Sequence, residues 1–135
     1  MGDYMNKQYE QVKAFHKTFK HPVAEEVQMV NPDRAQKRYA WMLEEINEFL
    51  EAEDVVEQAD AMIDTIYFAL GTLVEMGVEP DVLFDIVQEA NMSKIWPDGK
   101  PHFNEMGKTI KPEGWQDPHE KLEQAISTMQ KKTEK

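Results

Sequence analysis

The fold is decided by residues 33–76, DRAQKRYAWMLEEINEFLEAEDVVEQADAMIDTIYFALGTLVEM. Apolar residues recur there every three or four positions, which is typical of amphipathic helices. Asp54 can cap the second helix, with Glu57 as its capping box. Because few residues join the helices, they should lie antiparallel and share a core. The apolar stripe expected to face that core on the first helix is Tyr39, Met42, Leu43, Ile46, Phe49 and Leu50.

The pattern on either side also predicts helices, over residues 4–20 and from Pro80 to about Ile95. Residues 53–75 are apolar over a wide arc, so the helix there should lie near the centre of the fold. Almost nothing is typical of a strand. The chain of 135 residues is therefore predicted to be one all-α domain with four main helices, whose core helices span about 33–95.

The C-terminal part has a different character. Residues 96–118 hold three glycines and four prolines, which predicts a loop-rich segment over 96–117 with a short hairpin around Asp98 and Gly99. Residues 118–130 can form one more short helix, and 131–135 should be a frayed tail.

Composition excludes several classes of function. The absence of cysteine excludes disulfides, thiolate catalysis and cysteine-based zinc sites. The net charge of −11 argues against binding to nucleic acid. No window is apolar enough for a membrane span, and the start, MGDYMNKQYE, lacks the apolar region of a signal peptide. We therefore expect a cytoplasmic protein with neither nucleic acid nor membrane as a partner.

The negative charge belongs to one block. Residues 39–93 contain fourteen Asp and Glu and no Lys, Arg or His. The remaining residues carry all 15 Lys and Arg against 12 acids, a net of +3. The acidic block coincides with the helical part of the sequence, so its carboxylates are the first candidates for a functional site.

The acids fall on matching faces of the two central helices. Glu45 and Glu48 are three residues apart on the first helix, while Glu57, Asp60 and Asp64 follow the same spacing on the second. Pairing about the turn places Glu48 near Glu57 and Glu45 near Asp60, with Asp64 a turn beyond. Carboxylates gathered in this way repel one another, and a hard cation such as Mg²⁺ can neutralise them.

A purely structural interpretation of the same spacing is a solvated acidic face, which is what most acidic helices present. Three features favour a site instead. The carboxylates border the apolar stripe rather than oppose it. They lack the lysine partners at i+4 that a surface helix commonly supplies. The acids of both helices also lie on matching faces, close to the turn that joins the helices.

The segment from Met42 to Phe49 resembles the EExxE motif of the all-α nucleoside triphosphate pyrophosphohydrolases, which include MazG-like, dimeric dUTPase-like and phosphoribosyl-ATP pyrophosphohydrolase-like enzymes. Their pattern is ExxE, a spacer and then ExxD, and these acids bind Mg²⁺, with Mn²⁺ as an alternative. ExxE matches at Glu45 and Glu48. The resemblance also implies a MazG-like bundle that assembles as a homodimer or homotetramer.

The second half of the motif departs from the family pattern. Glu57 and Asp60 fit ExxD, but with a shorter spacer than usual. Asp64 and the following Tyr67 look more like the family's Asp and aromatic residue, but Ala61 stands where the Glu belongs. The metal ligands implied by the resemblance are therefore Glu45, Glu48, Asp60 and Asp64, with Glu57 as the alternate.

A second resemblance lies after the acidic block. Asn91 to Lys100, followed by Met106-Gly107-Lys108, is similar to the C-terminal segment of one branch of the superfamily, where Asn and Lys lie near the phosphates or sugar. Asn91 and Lys94 share a helix face, and Lys94 is the first base after the acids. This implies substrate binding by Asn91, Lys94 and Lys108. Trp96 and Trp115 either stack on a base or pin the loop to the core.

These features predict Mg²⁺-dependent hydrolysis of a nucleoside triphosphate to the monophosphate and pyrophosphate, in a house-cleaning role. The water that attacks the α-phosphorus would be activated by the metal or by a spare carboxylate such as Glu44. Two alternatives stay open. One keeps the enzyme class but takes phosphoribosyl-ATP as substrate. The other is a non-catalytic acidic helical module that binds a basic protein partner.

Overall fold

Five α-helices make up most of the structure, a computed structural model that describes residues 4–133. In chain order the helices are α1 (Tyr4–Thr18), α2 (Pro32–Glu51), α3 (Val55–Met76), α4 (Asp81–Met92) and α5 (His119–Thr133). Within the described residues, the one β-type pairing is an isolated bridge between Phe103 and Thr109. The prediction of an all-α fold is confirmed, and the short fifth helix is present.

The ends of the two central helices follow from their capping residues. Asn31 caps α2, where its Oδ1 accepts from the N–H of Arg34 at 2.9 Å. Asp54 caps α3 in the same way, through the N–H of Glu57 at 2.8 Å. In return, Oε2 of Glu57 accepts from the N–H of Glu53 at 2.7 Å, so the predicted capping interaction is confirmed. Gly77 ends α3 with a φ of 70°, a left-handed conformation that favours glycine.

The buried apolar core lies between α1 and α3. Tyr9 and Val12 of α1 pack with Leu70 and Val74 of α3, and Val74 is fully buried. Helix α3 also packs along the length of α2. The prediction that residues 53–75 lie near the centre of the fold is therefore confirmed.

A buried acid, Glu75, joins α3 to α2 through two arginines. Arg34 donates from Nε to Oε1 and from Nη2 to Oε2, both at 2.9 Å. Arg38 donates from Nη1 to Oε2 at 2.6 Å. Burial by itself raises the pKa of Glu75, but the hydrogen bonds and charges of the two arginines outweigh it and hold the pKa below its usual range.

His16, to which the sequence assigned no role, lies beside this ion network. It is 3% exposed, and its Nδ1 lies 2.8 Å from the carbonyl oxygen of Pro22. Nδ1 must carry the proton to make that bond. Burial is the main cause that lowers the pKa of His16, so the ring is neutral at neutral pH.

Most of the apolar stripe on α2 is exposed in the single chain, as is a second face of α3. The expectation that the α2 stripe faces the chain's own core is therefore wrong for one chain. Leu50, Val55, Val56 and Ile63 are between 62% and 81% exposed. The exposed stripe residues on α2 also include Tyr39, Leu43, Ile46 and Phe49. A monomeric protein seldom exposes so many large apolar side chains on two neighbouring helices.

Helix α4 packs against α5 and α1 rather than against α2 or α3. The segment between α4 and α5 is an ordered loop, as predicted. The hairpin expected around Asp98 and Gly99 is instead a tight turn, in which the N–H of Gly99 donates to Trp96 O at 2.8 Å. Helix α5 extends to Thr133, so residues 131–133 of the predicted frayed tail are helical, and 134–135 lie outside the described residues.

Between residues 4 and 133, no single helix is long and apolar enough to cross a membrane. By length and composition, α3 and α4 would meet that criterion only together, and the two helices are bent by 119° from each other.

The ion network predicts a large effect of one substitution. Glu75→Gln leaves Arg38 buried without its counter-charge, so we expect the free energy of unfolding to fall by roughly 3–5 kcal/mol. Urea denaturation at a fixed protein concentration measures it. The control Glu89→Gln, on the exposed surface of α4, should change the value by less than about 0.5 kcal/mol. A Glu75→Gln variant as stable as the control would contradict this account of the network.

Candidate functional site

The candidate site is a groove between α2 and α3, in which side chains pair in successive layers. At one end Arg34 meets Glu75, and one turn along Arg38 donates to Thr72 Oγ1 at 2.7 Å. The next layer sets the ring of Trp41 6.0 Å from that of Phe68. The acidic residues form the layers after that, towards the turn between the helices.

In the acidic layers the structure brings together the four predicted metal ligands. Glu45 lies within hydrogen-bonding reach of Glu48 and of Asp64, and Asp60 is close enough to act on both Glu45 and Asp64. The pairing expected from the turn set Glu45 beside Asp60, with Asp64 a turn further. In the structure Asp64 lies within hydrogen-bonding reach of Glu45 as well, while Asp60 stays close enough to act on it.

Partial burial in the groove and mutual repulsion raise the pKa values of two of these acids. Burial raises the pKa of Glu45 to about 7, with further contributions from a hydrogen bond to Glu48 and from the charges of Glu48, Asp64 and Asp60. Burial also raises the pKa of Asp64, together with the charges of Asp60 and Glu48. At neutral pH Glu45 is therefore only partly ionised.

One oxygen of the cluster has no partner. Oε2 of Glu45 is buried and accepts no hydrogen bond from an N–H group or a hydroxyl, since its neighbours are the carboxyl groups of Glu48 and Asp64. A buried carboxylate oxygen normally accepts at least one bond, so an orphan of this kind fits a cation site. Among the described residues, however, no three His, Asp or Glu side chains are arranged to hold one ion as they stand. The cluster supplies carboxylate oxygens, the ligands that Mg²⁺ prefers in proteins, but its side chains do not converge on one point as they stand.

The remaining acidic candidates lie at the edge of the cluster. Glu57 is engaged in capping α3, through the bond from Glu53 described above, so its Oε2 is already used. Its side chain lines an open cleft of about 330 Å³ together with Glu48 and Asp60. Glu44, the predicted catalytic carboxylate, is exposed on α2.

The predicted substrate-binding residues are not brought to the carboxylates within one chain. Asn91 and Lys94 lie at the C-terminal end of α4, which does not pack against α2 or α3. Lys94 Nζ instead lies 5.3 Å from the ring of Trp115. Lys108 is exposed in the loop, where its N–H donates to Asn104 Oδ1 at 3.0 Å.

Sequence reasoning missed the part of the groove between the ion network and the acids. Neither Trp41 nor Phe68 was among the predicted site residues. The signal was present in the spacing, because Trp41 precedes Glu45 by one turn and Phe68 follows Asp64 by one turn. Glu75, a lone acid among apolar residues at the end of α3, is the corresponding signal for the ion network.

Comparisons with known proteins agree with this architecture. The profile of the phosphoribosyl-ATP pyrophosphohydrolase family matches residues 12–91. A solved structure from Exiguobacterium sp. 255-15, described as a candidate NTP pyrophosphohydrolase, is 33% identical, with a TM-score of 0.51. That match covers 93% of this chain and 96% of the other. A search of curated proteins finds no match.

The raised pKa of Glu45 predicts a pH-dependent effect on stability. A carboxyl whose pKa rises from 4.5 to about 7 on folding favours the folded state below pH 4.5. This contribution is lost as the pH rises through about 7. Glu45→Gln removes the titrating group. We therefore expect the free energy of unfolding of this variant to increase relative to that of wild type as the pH rises from about 5 to about 8.

Urea denaturation in EDTA measures this difference without interference from divalent cations. The control Glu113→Gln, in the exposed loop far along the chain, should follow wild type at every pH. If the free energy of unfolding of Glu45→Gln differed from that of wild type by the same amount at every pH, the pKa of Glu45 would not be raised by folding.

Proposed function

Because the chain belongs to the phosphoribosyl-ATP pyrophosphohydrolase family, a family of all-α pyrophosphohydrolases, we propose that it hydrolyses nucleoside triphosphates to monophosphates and pyrophosphate in the presence of Mg²⁺. Removal of unwanted (d)NTPs in the cytoplasm is the proposed role. The observation that carries the proposal is the set of four carboxylates on facing helices, two of which have raised pKa values. Such perturbed groups cluster at functional sites.

The proposed ligands of Mg²⁺ are Glu45, Glu48, Asp60 and Asp64. When bound there, the ion would neutralise the carboxylates and the phosphate oxygens, which stabilises the charge that develops in the transition state. Glu57 is the less suitable donor, because its carboxylate already caps α3. The orphaned Oε2 of Glu45 supports the choice of Glu45 as the central ligand.

In the proposed reaction a water molecule attacks the α-phosphorus. The bond between the α-phosphorus and its bridging oxygen breaks, and the leaving group departs as pyrophosphate. A carboxylate accepts the proton from the water, and Glu44, which is exposed on α2 and precedes Glu45 in the chain, is the proposed acceptor. Glu45 and Asp64 are poor substitutes for this role, because a bound cation would occupy their oxygens and lower their basicity.

We further propose that the enzyme assembles as a homodimer or homotetramer through the exposed apolar face of α2 and α3. Leu50 and Ile63, at 81% and 62% exposure, mark that face. Assembly would also allow a second copy to bring Asn91, Lys94 and Lys108 to the phosphates, which one chain does not do. Cationic side chains at the mouth of an acidic site suit a triphosphate.

One alternative substrate has an observation in its favour. The matching family is described by its action on phosphoribosyl-ATP, so that compound is the second candidate. A non-catalytic acidic module that binds a basic partner would explain the charge of the block, but it does not explain the orphaned oxygen of Glu45.

Activity is tested with a panel of canonical and modified (d)NTPs and phosphoribosyl-ATP, with pyrophosphate release as the readout. We expect Mg²⁺-dependent release from at least one (d)NTP. Glu45→Gln should lower kcat/KM roughly a hundredfold or more at unchanged helicity, because a lost ligand weakens charge stabilisation by several kcal/mol. Glu44→Gln should lower kcat with the same Mg²⁺ dependence.

The control for these variants is Glu113→Gln, which should retain wild-type activity. No pyrophosphate from any compound, beside an active reference enzyme, would contradict the proposal. Full activity of Glu45→Gln would contradict the assignment of the site. If Glu45→Gln weakened the binding of a basic protein partner, and that binding did not depend on metal, the non-catalytic acidic module would be favoured.

The proposed assembly is tested by light scattering after size-exclusion chromatography. Wild type should elute as a dimer or tetramer, and Ile63→Glu should shift it towards the monomer, because a charge would be buried at the interface. Met29→Glu is the control, since Met29 is 89% exposed in the segment between α1 and α2. A monomeric wild type, or an Ile63→Glu variant that assembles as wild type does, would contradict this interface.

A further inference from the structure

An aromatic cleft lies next to the carboxylates in the groove of α2 and α3. Its volume is about 260 Å³, slightly below the range of about 300–1,000 Å³ for drug-sized ligands. A cleft of this size suits one planar ring system rather than a whole nucleotide. It is lined by Phe15, His16, His21, Arg38, Trp41 and Phe68.

The cleft lies one helical turn from the acids on both of its walls. Trp41 precedes Glu45 by four residues on α2, and Phe68 follows Asp64 by four residues on α3. One turn of an α-helix rises about 5.4 Å, and residues four apart lie on the same face. A single pentose separates the base of a nucleotide from its α-phosphate, so base and phosphate can occupy the neighbouring layers together.

The rings that form the cleft are held in place by their neighbours. Arg34 Cζ lies 5.0 Å and Arg38 Cζ 5.5 Å from the centre of the Trp41 ring. Arg38 is itself fixed, because its donors are taken by Glu75, Thr72 and the carbonyl of Phe68. Phe15 stacks on His21, with ring centres 5.9 Å apart and planes inclined by 20°. A rigid aromatic platform loses little conformational entropy when a ring stacks on it.

The other two tryptophans are already engaged. Trp96 stacks on His102 at 4.1 Å, and its Nε1 donates to the carbonyl of Ile110 at 3.0 Å. Trp115 donates from Nε1 to the carbonyl of Ala90 at 3.0 Å and lies between Lys94 and Lys111. Both rings fix the C-terminal loop, which is the second of the two roles that the sequence left open for them.

We propose that the aromatic cleft binds the nucleobase of the substrate, stacked on Trp41, while the triphosphate lies at the carboxylates one turn away. The identity of the ligand as a nucleotide rests on the proposed function. Base recognition would then use the rings of Trp41 and Phe68 and the edges of His16 and His21. Stacking of a base on an aromatic ring is a large enough contribution for the loss of one ring to be measured.

The first test uses 2′-deoxyadenosine, 2′-deoxycytidine, 2′-deoxyguanosine and thymidine in EDTA, so that neither metal nor phosphate contributes. The indole N–H signals of Trp41, Trp96 and Trp115 are followed by ¹H–¹⁵N NMR and assigned with single Trp→Phe variants. We expect at least one nucleoside to shift the Trp41 signal most, in the millimolar range. No shift of Trp41, or a shift confined to Trp96 or Trp115, would overturn the proposal.

The second test measures KM for the (d)NTP that is hydrolysed best. It distinguishes loss of the Trp41 ring from a general defect in folding. Trp41→Leu should raise KM by about 10–100-fold, while Trp41→Phe, which keeps a ring, should stay within a few-fold of wild type. Tyr4→Leu is the matched control, since Tyr4 is 77% exposed at the start of α1, and it should leave KM unchanged. Equal KM values for Trp41→Leu and Tyr4→Leu, at wild-type helicity, would overturn the proposal.

The two tests distinguish failure of the cleft from failure of the proposed function. Hydrolysis without any effect of Trp41 would remove the base site and leave the enzyme class intact. A nucleoside that shifts Trp41 in a protein that releases no pyrophosphate would support the cleft and reject the hydrolysis.

Discussion

The ion pairing of Glu75 with Arg34 and Arg38 fixes how α2 lies against α3, and the rest of the groove depends on it. A buried carboxylate that accepts bonds from two guanidinium groups is satisfied in one register of the helices. That register sets the Trp41 ring against Phe68 in the next layers and the Glu45 carboxyl beside Asp64 beyond them. A slip of one turn would leave a buried charge unpaired, which is strongly destabilising.

The two ends of the groove therefore have opposite electrostatics. At one end the arginines lower the pKa of Glu75, and at the other end burial and neighbouring acids raise the pKa values of Glu45 and Asp64. The repulsion among the acids opposes folding, and the paired end offsets it. A protein that keeps such a cluster at the expense of stability commonly uses it for binding or catalysis.

The sequence was sufficient for the parts of this structure that depend on local spacing. The helices and the gathering of four carboxylates follow from periodicity and turn length, and the cap at Asp54 follows from its capping box with Glu57. The close approach of Asp64 to Glu45 could not be predicted from spacing, because the register also depends on the bond between Arg34 and Glu75, which joins residues far apart in the chain. Spacing alone also could not show that the α2 stripe is exposed, since a helix has the same pattern whether its own chain or another covers it.

The central claim is that the acids between α2 and α3 bind a divalent cation together with the phosphates of a nucleotide. The most direct measurement is a crystal structure with Mn²⁺ and a non-hydrolysable dNTP, in which anomalous scattering locates the metal. The account predicts a Mn²⁺ peak contacted by Glu45 and by oxygens of Glu48, Asp60 or Asp64, with the triphosphate beside it. A nucleotide or a metal bound elsewhere, with the four carboxylates unchanged and in contact with solvent alone, would contradict it.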